Sequence, residues 1–211
     1  MPELRAYPPA HDGVRQGLDV VLRGSYDIPG LQFPHPPAIL DLGAHVGSFS
    51  VWAKARWPDA RIVAFEPHPG SASYCRKNTE HLGIEVREVA VTGGGKPGTM
   101  MLYDGAVNTG QRSLYQLGEQ RGTGVAVSTF PAAQLPPADI LKADTEGCEL
   151  EILRDYPHLQ GVTALMLEWH RDADYHELLR WLPTLGFDLV RDDAKGRWVS
   201  DRNLIFRRRG T

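Results

Sequence analysis

The chain has 211 residues, 23 Lys and Arg against 26 Asp and Glu, and a formal net charge of −3. That length suits one domain with a substantial core and no need of disulfide or metal staples. The charge gives no field favouring nucleic acid, no apolar run approaches the ~20 residues of a membrane span, and 22 Gly with 16 Pro stay below the share of low-complexity chains.

Residues 1–37 form a polar, proline-bearing lead-in in which Val14, Leu18, Val21 and Leu22 suggest a short helix. Nothing there reads as a signal peptide, and Cys75 and Cys148 lack metal or redox spacing, so a cytoplasmic chain with packed thiols is expected. From residue 38 short apolar runs alternate with helical segments, the pattern of a parallel sheet covered on both faces. The order is strand Ala38–Leu42, helix Ser48–Trp57 stopped by Pro58, strand Arg61–Phe65, helix Ser71–Leu82 stopped by Gly83, and strand Ile84–Val89.

Residues 92–124 carry nine glycines and two strand-like pieces, Thr99–Tyr103 and Arg112–Leu117. This insertion reads as a surface hairpin or a cover over a site. The sheet pattern resumes at Val125–Thr129 and Asp139–Asp144. A helix at Cys148–Tyr156 follows, with Glu149 and Glu151 suited to its dipole. Strand Thr163–Leu167 precedes the clearest amphipathic helix, marked by Tyr175, Leu178, Leu179, Leu182 and Leu185 and stopped by Gly186. Phe187–Val190 and Asn203–Arg207, joined by a polar turn, read as an antiparallel pair, and Arg207–Arg209 as its solvated end.

Ile39–Gly47 is a strand entering a glycine loop and then a helix, where backbone N–H groups face a polar ligand. Gly43 permits the tight turn, Gly47 lets the helix begin close to the ligand, and Asp41 ends the strand where it could take an ammonium. Glycine spacing alone also marks ordinary turns. Glu66 ends the next strand nineteen residues past Gly47, where an acidic residue accepts from ribose hydroxyls, and the pair points to a nucleoside. Gly43-x-x-x-Gly47 departs from the pyrophosphate-packing G-x-G-x-x-G, and the length leaves no second substrate domain. Both favour S-adenosylmethionine over NAD.

Three stretches, Asp41-Leu-Gly-Ala-His-Val-Gly-Ser-Phe49, Ala64-Phe-Glu-Pro-His-Pro69 and Leu141-Lys-Ala-Asp-Thr-Glu-Gly-Cys-Glu149, resemble the FkbM family of S-adenosylmethionine-dependent methyltransferases. Val89-Ala-Val91, Leu167-Glu-Trp-His170 and the Tyr26 region are similar as well. The resemblance covers roughly residues 26–170. It implies a Rossmann-like class I methyltransferase fold: an α/β domain with a seven-stranded, mostly parallel sheet, an antiparallel last strand, and helices on both faces. It also implies transfer to a hydroxyl, often of a sugar or polyketide-like compound, and places Ala44, His45, Phe49, Pro67, Val89 and Ala90 with Asp41, Gly43, Gly47 and Glu66 around the cofactor. The family usually has asparagine where His45 stands, and often where His68 stands. His68 would then lie near adenine or ribose, and His45 is expected to bond the backbone. Phe130-Pro131 stand where the family has Leu-Asp.

Strand ends line the crevice of such sheets, so Asp144 and His170 are candidates for the acceptor side. His170 can take and release a proton near neutrality, with Glu168 orienting it and Asp144 holding the acceptor or the methionine end of the cofactor. Lys142 is expected to pair with a carboxylate or snorkel, and Glu146 to be solvated unless it joins the pocket. Asp144, Glu146, Glu168 and His170 could together hold Mg²⁺, although their spacing is not diagnostic and no metal is assigned. His11, His35, His81, His158 and His176 should face solvent. The expected partner is a small-molecule acceptor, with neither nucleic acid nor membrane; an N-methyltransferase, an NAD-dependent oxidoreductase and a non-catalytic nucleoside-binding module are the alternatives, and oligomeric state is not encoded legibly.

Overall fold

A computed structural model describes residues 24, 26–103, 114, 124–193 and 202–211. The lead-in helix through Val14 to Leu22, His11, the piece Arg112–Leu117 (save Leu114), most of the glycine-rich stretch with its proposed covering role, and most of the turn after Asp192 lie outside the described residues.

The strands are β1 (Ala38–Leu42), β2 (Arg61–Phe65), β3 (Glu85–Arg87), β4 (Ala90–Thr92), β5 (Gly98–Leu102), β6 (Val125–Pro131), β7 (Ile140–Ala143), β8 (Ala164–Glu168), β9 (Phe187–Asp192) and β10 (Asn203–Arg208). The helices are α1 (Ser48–Arg56), α2 (Pro69–Thr79), α3 (Glu149–Asp155) and α4 (Asp172–Trp181). Seven strands form the main sheet in the order β3-β2-β1-β7-β8-β10-β9. β1 pairs in parallel with β2 and β7, and β10 runs antiparallel to both β8 and β9. The expected seven-stranded sheet with its reversed last strand is present.

Alternation along each strand builds a core on each face. Leu40, Leu42, Leu141, Leu165, Leu167, Leu204 and Phe206 join α3 and α4 on one side. Ile39, Ile62, Ile140, Met166 and Ile205 join α1 and α2 on the other. Tyr26, Phe49 and Trp52 form an aromatic cluster in the second core, the Tyr26 and Phe49 rings meeting edge to face at 4.9 Å.

Several boundaries shift for local reasons. Pro69 opens α2, whose N-cap is His68, and a single 3₁₀ turn, Glu80–Leu82, carries the chain to Gly83 at φ 67°. α4 likewise hands over to a 3₁₀ turn, Leu182–Leu185, containing Pro183. Val125–Thr129 does not resume the main sheet: it lies in β6, the centre of a separate sheet ordered β4-β6-β5. Its alternating pattern identifies a half-buried strand but not the partner that covers it. Arg207–Arg209 is also more than a solvated end. Arg208 donates to the carbonyls of Leu159, Val162 and Leu185 and stacks over Phe187 at 4.2 Å.

Among the described residues no helix is long and apolar enough to cross a membrane. Cys75 and Cys148 are free and buried, and His35, His81, His158 and His176 are exposed, as expected.

Candidate active site

The chain moves outward from β1 through β2 to β3, then returns to build β7 and β8 on the other flank of β1. A crevice opens where that direction reverses, at the carboxyl ends of β1 and β7. Gly43 turns there at φ 76°, and a Cβ on it would lie 1.7 Å from the carbonyl oxygen of Asp144. The glycine is required by the close passage of the two strand ends. Gly43 N–H and Ala44 N–H both donate to Phe65 O at 2.9 Å, lashing the loop to β2.

His45 adopts φ 51°, a left-handed conformation that Asn and His tolerate better than most residues, which accounts physically for either type at this position. Its backbone N–H donates to Glu66 Oε2 at 2.8 Å, and the His68 N–H donates to Glu66 Oε1 at 2.9 Å. The Glu66 carboxylate is thereby fixed between two loops while each oxygen keeps further accepting capacity. This arrangement fits a ribose diol.

Four cofactor assignments change in detail. Asp41 is fully buried, accepts from Ser50 Oγ at 2.7 Å and pairs with Lys142 Nζ at 3.3 Å, so its carboxylate braces the loop from below and does not present itself to an ammonium. Gly47, at φ 88°, is needed because a Cβ would come within 3.1 Å of Cys75 Sγ and 3.0 Å of Thr79 Cγ2: the helix it admits closely is α2. Phe49 points into the aromatic core. His68 caps α2, its Nδ1 accepting from Ser71 N–H at 3.2 Å. Pro67 stays half-buried at the rim, and Val89 and Ala90 pack into the larger core at the start of β4.

On the other side of the crevice, the expectation that Asp144, Glu168 and His170 converge is met, but the organiser is Glu149. Glu146 at φ 54° and Gly147 at φ 110° coil the chain so that Thr145 N–H, at 2.8 Å, and Gly147 N–H, at 3.1 Å, both reach the Glu149 carboxylate. Glu149 Oε1 also lies 3.0 Å from His170 Nδ1. Glu149 is 0% exposed and therefore orients His170, the part expected of Glu168. The opposite ring edge, Nε2, faces Glu146 at 3.3 Å, Asp144 at 3.8 Å and Glu168 at 3.8 Å.

Burial alone would weaken His170's hold on its proton, but the Glu149 hydrogen bond and the charges of Glu149, Glu146 and Asp144 outweigh it and raise the imidazole to about 10. His170 thus holds a proton at neutral pH in this arrangement, which differs from the free base expected. Burial pushes Glu146 and Glu168 up to about 8, with His170 opposing in each case and Asp144 adding to the rise. For Glu149 burial also raises, but His170 and the Gly147 N–H prevail and hold the carboxyl below its usual range.

Lys142 links the two halves. It donates to Gly43 O at 2.7 Å and lies 3.3 Å from Asp41 and 3.7 Å from Asp144. Burial favours its neutral form, but those two carboxylates dominate and keep it a cation. The Tyr26 phenol is 8% exposed, and burial followed by the competing fields of Lys142, Asp144 and Glu168 leaves it harder to ionise than a free tyrosine. Sequence pattern pointed to Asp144 and His170 at strand ends. Only the Asp-Thr-Glu-Gly-Cys-Glu stretch itself hinted at Glu149, which helical position explained equally well.

A parallel sheet that reverses direction beside β1, ends on an antiparallel strand, and carries a glycine loop with an acidic second strand end defines a Rossmann-like methyltransferase. The chain belongs to the FkbM methyltransferase family, since the profile of the Methyltransferase FkbM domain matches residues 41–189. It is similar to Methyltransferase sdnD of Sordaria araneosa, 29% identical over 87% of this chain and 85% of that protein. Methyltransferase 1 of Beauveria bassiana is 27% identical over 71% of this chain and 70% of its own. The solved Methyltransferase FkbM from Methylobacillus flagellatus KT shares the fold with a TM-score of 0.56 at 17% identity, covering 84% of this chain and 45% of that one. The match therefore spans less than half of that protein.

Proposed function

We propose that the crevice transfers a methyl group from S-adenosylmethionine to a hydroxyl oxygen of a small molecule. The observation that carries this reading is the Glu66 carboxylate, clamped by the His45 and His68 N–H groups and still able to accept from a ribose. The cofactor supplies a methyl group bonded to a positively charged sulfur. Asp144, whose side chain is 28% exposed at the end of the strand beside the loop, is placed to take the methionine ammonium that Asp41 does not reach. Ala44, Pro67, Val89 and Ala90 wall the adenosine side. Glu168 and His170 face the acceptor, which they hold in line with the breaking bond. The acceptor oxygen bonds to the methyl carbon, the carbon–sulfur electron pair stays on sulfur, and the hydroxyl proton passes into the carboxylate cluster around His170.

Calorimetry with S-adenosylmethionine, S-adenosylhomocysteine and NADH tests the reading. One equivalent of either adenosyl compound should bind, and Glu66→Ala should weaken binding by about thirtyfold, the loss of two hydrogen bonds at about 1 kcal/mol each. Tight NADH binding with no response to the other two would overturn it.

A further inference from the structure

Four acidic side chains from two stretches of chain, 144–149 and 168–170, converge on the His170 ring. Glu149 occupies His170 Nδ1, which directs Nε2 toward Asp144, Glu146 and Glu168. One oxygen each of Asp144 and Glu149 and a ring nitrogen of His170 lie within 4.8 Å of one another. We propose that Asp144, Glu146, Glu168 and His170 Nε2 bind a divalent cation of the Mg²⁺ and Mn²⁺ class, with Glu149 as the carboxylate that fixes the ligating histidine.

The distances support a shared ion over direct pairing. Among the described residues Nε2, on a side chain only 8% exposed, makes no hydrogen bond, and its approaches of 3.3, 3.8 and 3.8 Å are long for one. Ligand atoms ~2.1 Å from an octahedral ion stand ~3.0 Å apart at right angles and ~4.2 Å apart across it, and the separations of Nε2 from the three carboxylates lie between those values. The Glu149–His170 pair reproduces the carboxylate–histidine–metal relay, in which the outer carboxylate holds Nδ1–H and leaves Nε2 for the ion.

Charge makes the same point. Four carboxylates surround one imidazole, and the nearby cation, Lys142, is already shared with Asp41 and the Gly43 carbonyl. A divalent ion would balance these carboxylates and occupy Nε2. Tyr26, 8% exposed, adds a buried phenol that makes no hydrogen bond among the described residues.

A donor set of three carboxylates and one imidazole suits a hard ion, and the nitrogen ligand favours Mn²⁺ over Mg²⁺. Four protein ligands on a six-coordinate ion leave two positions, which one acceptor can fill with two oxygens when they are adjacent. The acceptor class that fits them carries neighbouring oxygens, as in a vicinal diol or an α-hydroxy acid, and an oxygen bound there loses its proton more readily. This use of the ion rests on the methyl-transfer reading of the same crevice, whereas ion binding itself does not.

The test is titration of the metal-stripped full chain with Mn²⁺, followed by the electron paramagnetic resonance of free Mn²⁺ and by calorimetry, with S-adenosylmethionine binding measured on the same samples. Wild type should bind one Mn²⁺, displaceable by Mg²⁺. The double variant Asp144→Asn, Glu168→Gln should bind it at least about tenfold more weakly, and so should Glu149→Gln by loss of the outer carboxylate. The exposed Glu85→Gln should match wild type, and circular dichroism checks that each variant is folded. Absence of Mn²⁺, Mg²⁺ and Zn²⁺ binding to wild type at millimolar concentration, or equal binding in folded variants, overturns the proposal. Adenosyl binding without cation binding overturns this inference alone; cation binding without adenosyl binding supports the ion site and overturns the methyl-transfer reading.

Discussion

Replacing Gly43 by alanine is the sharpest perturbation of the crevice. The new Cβ would stand 1.7 Å from Asp144 O, where van der Waals contact needs ~3.5 Å, so β1 and β7 must part at their carboxyl ends by well over an ångström. That movement strains three bonds: Gly43 N–H to Phe65 O at 2.9 Å, Asp144 N–H to Leu42 O at 3.0 Å, and Lys142 Nζ to Gly43 O at 2.7 Å. At about 1 kcal/mol each, added to ~1–2 kcal/mol for a left-handed alanine, the cost is about 4–5 kcal/mol. A built-in control exists at Gly83, which has φ +67° and nothing within 4 Å of a Cβ, so Gly83→Ala costs only the ~1–2 kcal/mol of conformation. Urea denaturation of both variants should show the difference: with a slope of about 2 kcal/mol per molar, Gly43→Ala loses roughly 2 M in midpoint and Gly83→Ala less than about 1 M. Equal midpoints would refute the claim that the Asp144 carbonyl occupies the space beside Gly43.

Glu149→Gln places an amide where Thr145 N–H, Gly147 N–H and His170 all require an acceptor, and should cost about 2–4 kcal/mol in urea denaturation. A loss under about 0.5 kcal/mol would contradict the organising role given to this residue. Arg208→Leu strips the donors from the Leu159, Val162 and Leu185 carbonyls and should lower stability by about 2 kcal/mol, against under about 0.5 kcal/mol for the exposed Arg209→Ala. Similar thermal midpoints for the two would count against it. Alkaline stability should fall from pH 9 upward: burial and the charges of Asp41 and Glu66 raise the Cys75 thiol from 9.0 to about 12, so above 9.0 the unfolded chain has released a proton that the folded chain keeps. The contribution is complete below 9.0 and disappears as pH rises toward about 12. Cys75→Ala should flatten the pH dependence of denaturation between pH 9 and 10, and an unchanged slope would exclude the thiol as its source.

Local pattern alone determined much of this protein. The bounds of β1 and β2 follow from apolar runs closed by Gly43 and by Glu66-Pro67, and alternation assigns Ile39 and Leu40 to opposite cores. The glycine loop, Glu66 and the strand-end pair Asp144 and His170 were legible because each is a residue type at a fixed offset from its own strand. What the tertiary structure decided depends on which strands lie side by side. β6 leaves the main sheet for β4 and β5, and β10 slips between β8 and β9, because strand order is set by crossovers that alternation does not encode. The register that sets Asp41 opposite Lys142 turns a supposed ligand carboxylate into a brace. Glu149 became the organiser of the histidine cluster in the same way. A helix-terminal glutamate is ordinary in one dimension, and only the left-handed turn at Glu146 and Gly147 together with the end of β8 bring it to His170. Propensity and spacing act within a few residues along the chain, whereas a site of opposed charges is defined by distances across it.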